Sequence, residues 1–193
     1  MFHKVCPWWL GYLLANPVRR LVHDPAAILG PFVAEGMTVF EPGPGMGFFT
    51  LELARLVGPR GRVVAVEVQP RMLWALRRRA LKAGLLDRID ARQGSGESMG
   101  LDDLAGQVDF ILAFAVVHEL PSVEGFFTEA SAALKPGGRL LLAEPGSHVP
   151  EQDFAATLRI AGQSGLEVTA HPVIRWSRSA VLDRRSAGAG GGR

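Results

Sequence analysis

The chain has 193 residues, of which 48% are hydrophobic, and its 21 Lys and Arg against 19 Asp and Glu give a formal net charge of +2. That length and apolar fraction suit one domain with a full hydrophobic core and exclude a chain that is disordered throughout. The single cysteine, Cys6, excludes an internal disulfide and a cysteine-rich metal site, so we expect no metal and a reducing, cytoplasmic environment.

Residues 1–34 are predicted to form a helical extension ahead of the main domain. Asn16-Pro17 and Asp24-Pro25 each place a capping residue before a proline, which is typical of a helix start. The apolar stretch over residues 5–15 is too short to span a bilayer, so we expect no membrane anchor. Because the extension holds two of the four tryptophans, we predict that it covers the ligand pocket as a lid and is not left in water.

A strand and a glycine-rich turn follow the extension. Residues 38–41 form a short apolar run that is typical of a buried strand, and residues 48–57 continue as a helix. Between them, Gly43, Gly45 and Gly47 stand at alternate positions. Glycines let the backbone approach a ligand closely, and a helix start offers free N–H groups. The pattern indicates a nucleotide-type pocket at the carboxyl end of a parallel strand.

The rest of the chain alternates strands with helices. We predict strands at residues 62–67, 88–93, 108–114 and 139–144, helices at 70–83, 123–134 and 154–164, a turn at 135–138, and a final antiparallel pair at 166–174 and 179–182. This alternation predicts a doubly wound α/β domain over residues 35–184, with helices on both faces of a mostly parallel sheet. The Ala-Gly-rich tail, residues 185–193, is predicted to be disordered.

The order of these motifs resembles the class I S-adenosylmethionine-dependent methyltransferases. The spacing Glu41-x-Gly43-x-Gly45-x-Gly47 resembles their first motif, whereas a dinucleotide fingerprint beginning at Gly43 would require a glycine where Phe48 stands. The resemblance covers residues 35–184. It implies S-adenosylmethionine as the cofactor, S-adenosylhomocysteine as the product, and a seven-stranded sheet whose last strand is antiparallel.

The resemblance also implies which residues hold the cofactor's methionine and ribose. The backbone of Gly43, Pro44 and Gly45 passes the methionine part, and Glu41 holds backbone or the cofactor's amino group. Glu67 grips both ribose hydroxyls, because a carboxylate accepts two parallel hydrogen bonds.

The adenine contacts are expected from the next two loops. Val68 and Met72 pack against one face of the ring, with simple core packing as an equally open interpretation. Ser95 and Gly96 align with the adenine loop, where relatives usually carry Asp in place of Ser95, so backbone or Glu97 would read the base. The backbone of Phe114 and Ala115 lines the pocket beyond the fourth strand.

The sequence leaves the catalytic residue and the acceptor unassigned. His118 lies near a strand end and has a near-neutral pKa, but a histidine that hydrogen-bonds backbone at a helix start is the alternative. Glu144 faces the pocket or caps its loop. The segment after the fourth strand lacks the motif of nucleobase and amide N-methyltransferases, so we expect a small-molecule acceptor, whose entrance the aromatic residues Trp8, Trp9, Tyr12 and Trp176 would line.

Two other functions remain open at this stage. A nucleotide-dependent oxidoreductase is disfavoured by Phe48 and by the terminal strand pair. A non-catalytic S-adenosylmethionine-binding protein is favoured only by Ser95. We expect no nucleic acid as a partner, because the arginines are scattered except at residues 77–79, which we interpret as a solvated helix face. We also expect no membrane partner, because the apolar stretch near the N-terminus is too short to span one. The oligomeric state is not predicted.

Overall fold

The computed structural model describes residues 22–96 and 98–185. Its strands are β1 (Thr38–Pro42), β2 (Arg62–Glu67), β3 (Ile89–Gln93), β4 (Val108–Phe114), β5 (Leu134–Pro145), β6 (Leu166–Ala170) and β7 (Ser177–Arg184). Its α-helices are α1 (Pro25–Leu29), α2 (Thr50–Leu56), α3 (Pro70–Lys82), α4 (Val123–Ala133) and α5 (Glu151–Gln163). Short 3₁₀ turns lie at Leu86–Arg88, Asp102–Leu104 and Val117–Glu119.

The strands form one sheet in the order β3-β2-β1-β4-β5-β7-β6. The first five strands are parallel, and β7 is antiparallel to both of its neighbours. The predicted doubly wound, mostly parallel seven-stranded sheet with an antiparallel last strand is therefore confirmed. The strand order reverses between β1 and β4, which is the place where sheets of this kind bind ligands at their carboxyl edge.

The sheet separates two apolar layers because side chains alternate along each strand. On one face, Phe40, Ile111 and Leu142 pack with α4 and α5. On the other face, Val39, Phe110 and Leu141 pack with α1, α2 and α3. Helices on both faces are what the alternation of elements predicts.

Several boundaries differ from the predicted ones for local reasons. Strand β5 begins at Leu134, before the turn that we predict at residues 135–138. Leu134 pairs with Val108 and Arg139 pairs with Phe110, so residues 135–138 form an irregularity inside the strand. Strand β6 ends at Ala170, two residues before Pro172, which has no N–H for a ladder bond. Helix α5 begins three residues before the predicted start, since Glu151 and Asp153 in its first turn interact favourably with the helix dipole.

Helix α1 is part of the core of the domain. The Asp24 side chain accepts a hydrogen bond from the N–H of Ala26 at 3.0 Å, so the predicted helix start at Asp24-Pro25 is confirmed. Leu29 is fully buried, and the ring of Phe32 stacks on Phe110 with 5.6 Å between centroids.

Other predictions fall on residues that the structure does not describe. The helix start at Asn16-Pro17, the paired tryptophans and the tail from residue 186 lie outside the described residues. Of the lid that we predict over residues 1–34, the first 21 residues also lie outside them. In the part that is described, no helix is long and apolar enough to cross a membrane.

Gly47 and Gly84 provide a matched test of packing beside the glycine turn. Both have positive φ, +82° and +66°, but a Cβ on Gly47 would lie 2.3 Å from Cδ1 of buried Leu76, whereas a Cβ on Gly84 would meet nothing within 4 Å. Gly84→Ala is expected to lower the free energy of unfolding by about 1–2 kcal/mol through left-handed strain alone. Gly47→Ala should lower the free energy of unfolding by a further 1–3 kcal/mol or so, because its methyl group would overpack against Leu76.

Urea unfolding of the two variants measures this difference. Equal losses would show that Leu76 moves aside without cost and that the turn is not held by packing against α3.

Candidate active site

The carboxyl edge of the sheet collects the predicted site residues from four strands. Alternation along the strands puts Glu41, Glu67 and Phe114 on the face covered by α1–α3, and Glu144 on the face covered by α4 and α5. All three glutamates are buried, with 4%, 4% and 2% exposure respectively. Buried carboxylates at a ligand edge require polar partners there.

The glycine turn needs its glycines for two different reasons. Gly43 and Gly45 have φ of +62° and +56°, which an L-residue adopts only with strain. A Cβ on Gly43 would also lie 2.7 Å from a methyl group of Val116. The N–H of Gly43 donates to Val66 at 2.9 Å, so the turn is tied to β2. Pro44 between the two glycines is buried.

Glu67 is held in a fixed orientation by two backbone donors. Its Oε2 accepts from the N–H of Gly45 at 3.0 Å, and its Oε1 accepts from the N–H of Gln69 at 2.9 Å. Burial raises the pKa of this carboxyl, although the backbone donors act in the opposite direction. Each oxygen of the carboxylate retains acceptor capacity, which fits two vicinal ribose hydroxyls. These two acceptor oxygens therefore fit the ribose of S-adenosylmethionine.

The predicted adenine residues come together only in part. Val68 is 38% exposed and lies beside the loop after β3: its Cγ1 would be 3.6 Å from a Cβ on Gly94 and 3.8 Å from one on Gly96. Ser95 in the same loop is exposed, and Glu97 lies outside the described residues. Val68, Ser95 and Gly96 thus share one corner of the edge.

Met72 is placed differently from the other adenine candidates. It is 5% exposed and forms a small cluster with Met46 and Ala75. Its sulfur would lie 3.8 Å from a Cβ on Gly45, so the side chain packs against the glycine turn.

The end of β4 brings backbone atoms to the carboxyl edge of the sheet. The ring of Phe114 packs against Phe49 at 4.5 Å and edge-on against His23 at 5.2 Å, so its side chain serves packing. Ala115 has a φ of +55° and donates its N–H to Ala143 at 2.7 Å. A non-glycine residue held in the left-handed region marks strain at this point, which is common at ligand sites.

On the other face of the edge, His118 and Glu144 form a hydrogen-bonded pair. Nδ1 of His118 contacts one oxygen of Glu144, and the second oxygen accepts from the N–H of Val117 at 2.8 Å. An ionised carboxylate only accepts hydrogen bonds, so Nδ1 carries the proton and Nε2 has the free lone pair when the ring is neutral. The side chain of His118 is 25% exposed, and its Nε2 lies 3.9 Å from Oε1 of Glu119.

The surroundings of His118 make its imidazole ring a stronger base. The hydrogen bond to Glu144 is the main cause that raises the pKa of His118, against the opposing effect of burial. Glu144 thus caps the N–H of Val117 and also contacts the ring of His118.

An open cleft of about 570 Å³ lies where β5 ends and β7 begins, lined by Gly146, Ser147, Trp176, Ser177 and Arg178. Arg178 is the cross-strand partner of Glu144, and its Nε donates to Val149 at 2.9 Å. Sequence reasoning noted Trp176 but missed Ser147 and Arg178. The antiparallel pairing of β7 with β5 brings Arg178 here, and no sequence motif signals it.

Comparison with known proteins identifies the family. Residues 40–142 match the model of the methyltransferase domain, which is just over half of the chain. The ubiquinone/menaquinone biosynthesis C-methyltransferase UbiE of Brucella canis is 27% identical over 147 residues, or 75% of this chain. Since the match covers 54% of that relative, the chain spans about half the length of the curated relatives it matches.

Solved structures agree with this assignment. A SAM-dependent methyltransferase from Aquifex aeolicus superposes with a TM-score of 0.82 at 25% identity, covering 93% of this chain and all of that one. Geranyl diphosphate C-methyltransferase from Streptomyces coelicolor, crystallised with S-adenosyl-L-homocysteine, has the same fold, with a TM-score of 0.68 at 18% identity over 86% of this chain and 80% of that one.

The sheet order, the glycine turn and the acid at the end of β2 define a Rossmann-like protein built to bind S-adenosylmethionine. The chain belongs to the methyltransferase domain family, within the class I S-adenosylmethionine-dependent methyltransferases.

Proposed function

We propose that this methyltransferase modifies a small molecule that gives up a proton during transfer, and that Nε2 of His118 accepts this proton. The observation that carries the proposal is the buried Glu144, which fixes the tautomer of His118 by accepting from Nδ1. In the same proposal Glu67 and the glycine turn hold the cofactor, with Val68, Ser95 and Gly96 at its adenine.

When bound, S-adenosylmethionine supplies a methyl group that is already activated by its sulfonium. The protein has to place the acceptor in line with that methyl group and to remove the acceptor's proton. His118 becomes a cation as it takes the proton, and the Glu144 carboxylate stabilises that cation across a charge-assisted hydrogen bond. Glu144 is therefore a positioning residue.

The cleft where β5 ends and β7 begins supports an aromatic acceptor with an acidic hydroxyl group. Its volume of about 570 Å³ lies in the range of small-molecule sites. Trp176 offers a flat apolar ring, and the Arg178 guanidinium favours a partial or full negative charge. The UbiE relatives are named for C-methylation in quinone biosynthesis, which agrees with a phenolic or hydroquinone acceptor, because loss of the hydroxyl proton makes the ring carbon or oxygen nucleophilic. We place the activity in the cytoplasm, which the single cysteine supports.

The pH dependence of transfer tests this function. Because the pKa of His118 is raised, the rate should increase with pH through a midpoint above the ordinary value for histidine. Glu144→Gln removes the negative partner and should move that midpoint to lower pH while lowering kcat.

The measurement is transfer of a labelled methyl group from S-adenosylmethionine to a panel of phenols, hydroquinones and primary amines between pH 5 and pH 9. Transfer to amines alone, or an identical pH midpoint in Glu144→Gln and the wild type, would contradict the proposal. Binding of S-adenosylhomocysteine without transfer to any acceptor would favour the non-catalytic alternative.

A further inference from the structure

The outward face of α3 is strongly basic. The helix packs Leu73, Leu76 and Ala80 into the core and turns Arg71, Arg77, Arg78 and Lys82 outward. It carries five of the chain's 21 basic residues and none of its 19 acidic ones. Since the whole chain has a formal charge of only +2, positive charge is concentrated on this helix.

Two large apolar side chains lie on the same face. Trp74 is 58% exposed and Leu81 is 67% exposed. Residues 74, 78 and 81 follow the spacing i, i+4, i+7 and therefore form one stripe along the helix. The Arg78 guanidinium lies 5.4 Å from the centre of the Trp74 ring, so charge and apolar surface are interleaved.

Local structural roles explain only part of this composition. Arg77 donates to the carbonyl of Ala91, and Arg79 donates to that of Met46. Arg79 and Lys82, in the last turn of the helix, also interact favourably with the negative end of the helix dipole. Arg77, Arg78 and Lys82 form no ion pair with any described carboxylate. None of these roles requires an exposed Trp74 or Leu81.

We infer that this face of α3 docks on a membrane surface that contains anionic phospholipids. Arginine and lysine attract the headgroups, while Trp74 and Leu81 insert at the boundary with the acyl chains. A polynucleotide would use the cations and the Trp74 ring, but it gives an exposed aliphatic side chain such as Leu81 no partner. The sequence pattern alone led us to a solvated face, because it did not show that Trp74 and Leu81 remain outside the core.

Vesicle sedimentation of the full chain tests the inference. The protein should sediment with vesicles of equal parts phosphatidylcholine and phosphatidylglycerol, much less with pure phosphatidylcholine, and the binding should weaken as salt is raised. Arg78→Glu should reduce partitioning to the anionic vesicles about fivefold or more, given the contribution of each cation near such a surface. Trp74→Ala should weaken binding with little change in its salt dependence.

Arg159→Glu is the matched control, because Arg159 is an exposed arginine on α5, across the sheet from α3. It should sediment like the wild type, and circular dichroism should show that all variants are folded. Equal binding to both vesicle types, no binding to either, or an equal loss in Arg78→Glu and Arg159→Glu would overturn the inference. Tighter binding to a single-stranded RNA than to vesicles, lost in Arg78→Glu, would also overturn it.

Discussion

His118→Asn is expected to lower kcat for methyl transfer by about 10²–10⁴-fold, the usual contribution of a general base. Asparagine keeps a donor near the position of Nδ1, so the buried Glu144 retains a partner. It has no group at the position of Nε2, so the acceptor's proton has no local destination. The affinity for S-adenosylhomocysteine should stay within about twofold, because Glu67, the proposed ribose acceptor, takes its hydrogen bonds from the backbone of Gly45 and Gln69 and not from His118.

His148→Ala is the control for this substitution. The His148 ring lies 6.4 Å from that of His118 and is exposed, so its removal should leave kcat nearly unchanged. Steady-state kinetics and isothermal titration of S-adenosylhomocysteine separate the two effects. If His118→Asn transfers methyl groups at the wild-type rate, His118 only packs against Glu144, and the acceptor needs no base.

Glu67→Ala should weaken binding of S-adenosylhomocysteine by about 2–3 kcal/mol, roughly 30–150-fold in Kd. The substitution removes the acceptor that we propose for both ribose hydroxyls and leaves the N–H groups of Gly45 and Gln69 without their carboxylate. The glycine turn should consequently become less ordered as well. Calorimetric titration measures the loss of affinity for S-adenosylhomocysteine. NAD is the comparison ligand, and the wild type should bind it more weakly than S-adenosylhomocysteine.

The pH dependence of binding provides a second readout for Glu67. Because burial raises the pKa of this carboxyl, it gains a proton at a higher pH than an ordinary glutamate, and affinity should fall as the pH drops through that raised value. Glu35→Ala is the control, since Glu35 is an exposed acid whose ion pair is with Arg60. An unchanged Kd in Glu67→Ala would remove Glu67 from the site, and loss of the fold would make its role structural.

The sheet could be predicted from sequence because its signals are local. Apolar runs that end in an acid mark β1, β2 and β5, and the glycines mark the turn after β1. The prediction of β5 began five residues late because Lys135 to Gly138 has the composition of a turn. Pairing with β4 on both sides of that irregularity overrides the local preference.

The candidate site was predictable only where a motif carries it. Glu67 follows from its distance along the chain to the glycine turn, and the structure adds the two backbone donors that orient it. The His118–Glu144 pair joins residues 26 positions apart, so each residue appeared separately in the sequence with an ordinary structural interpretation. The position of Arg178 beside Glu144 depends on the antiparallel pairing of β7 with β5, which cannot be predicted from the residue types.

The position of β7 in the sheet affects how the protein folds during its synthesis. This strand follows β6 in the chain but lies between β5 and β6, and among the described strands it is the only partner of β6. During synthesis, β1 to β5 can pair as they leave the ribosome, whereas the outer edge of β5 stays open until β7 emerges. An open apolar edge is a template for pairing with another nascent chain. A stop codon or ribosomal stall before Ser177 would therefore release an aggregation-prone sheet that contains the glycine turn and Glu67 and lacks β7.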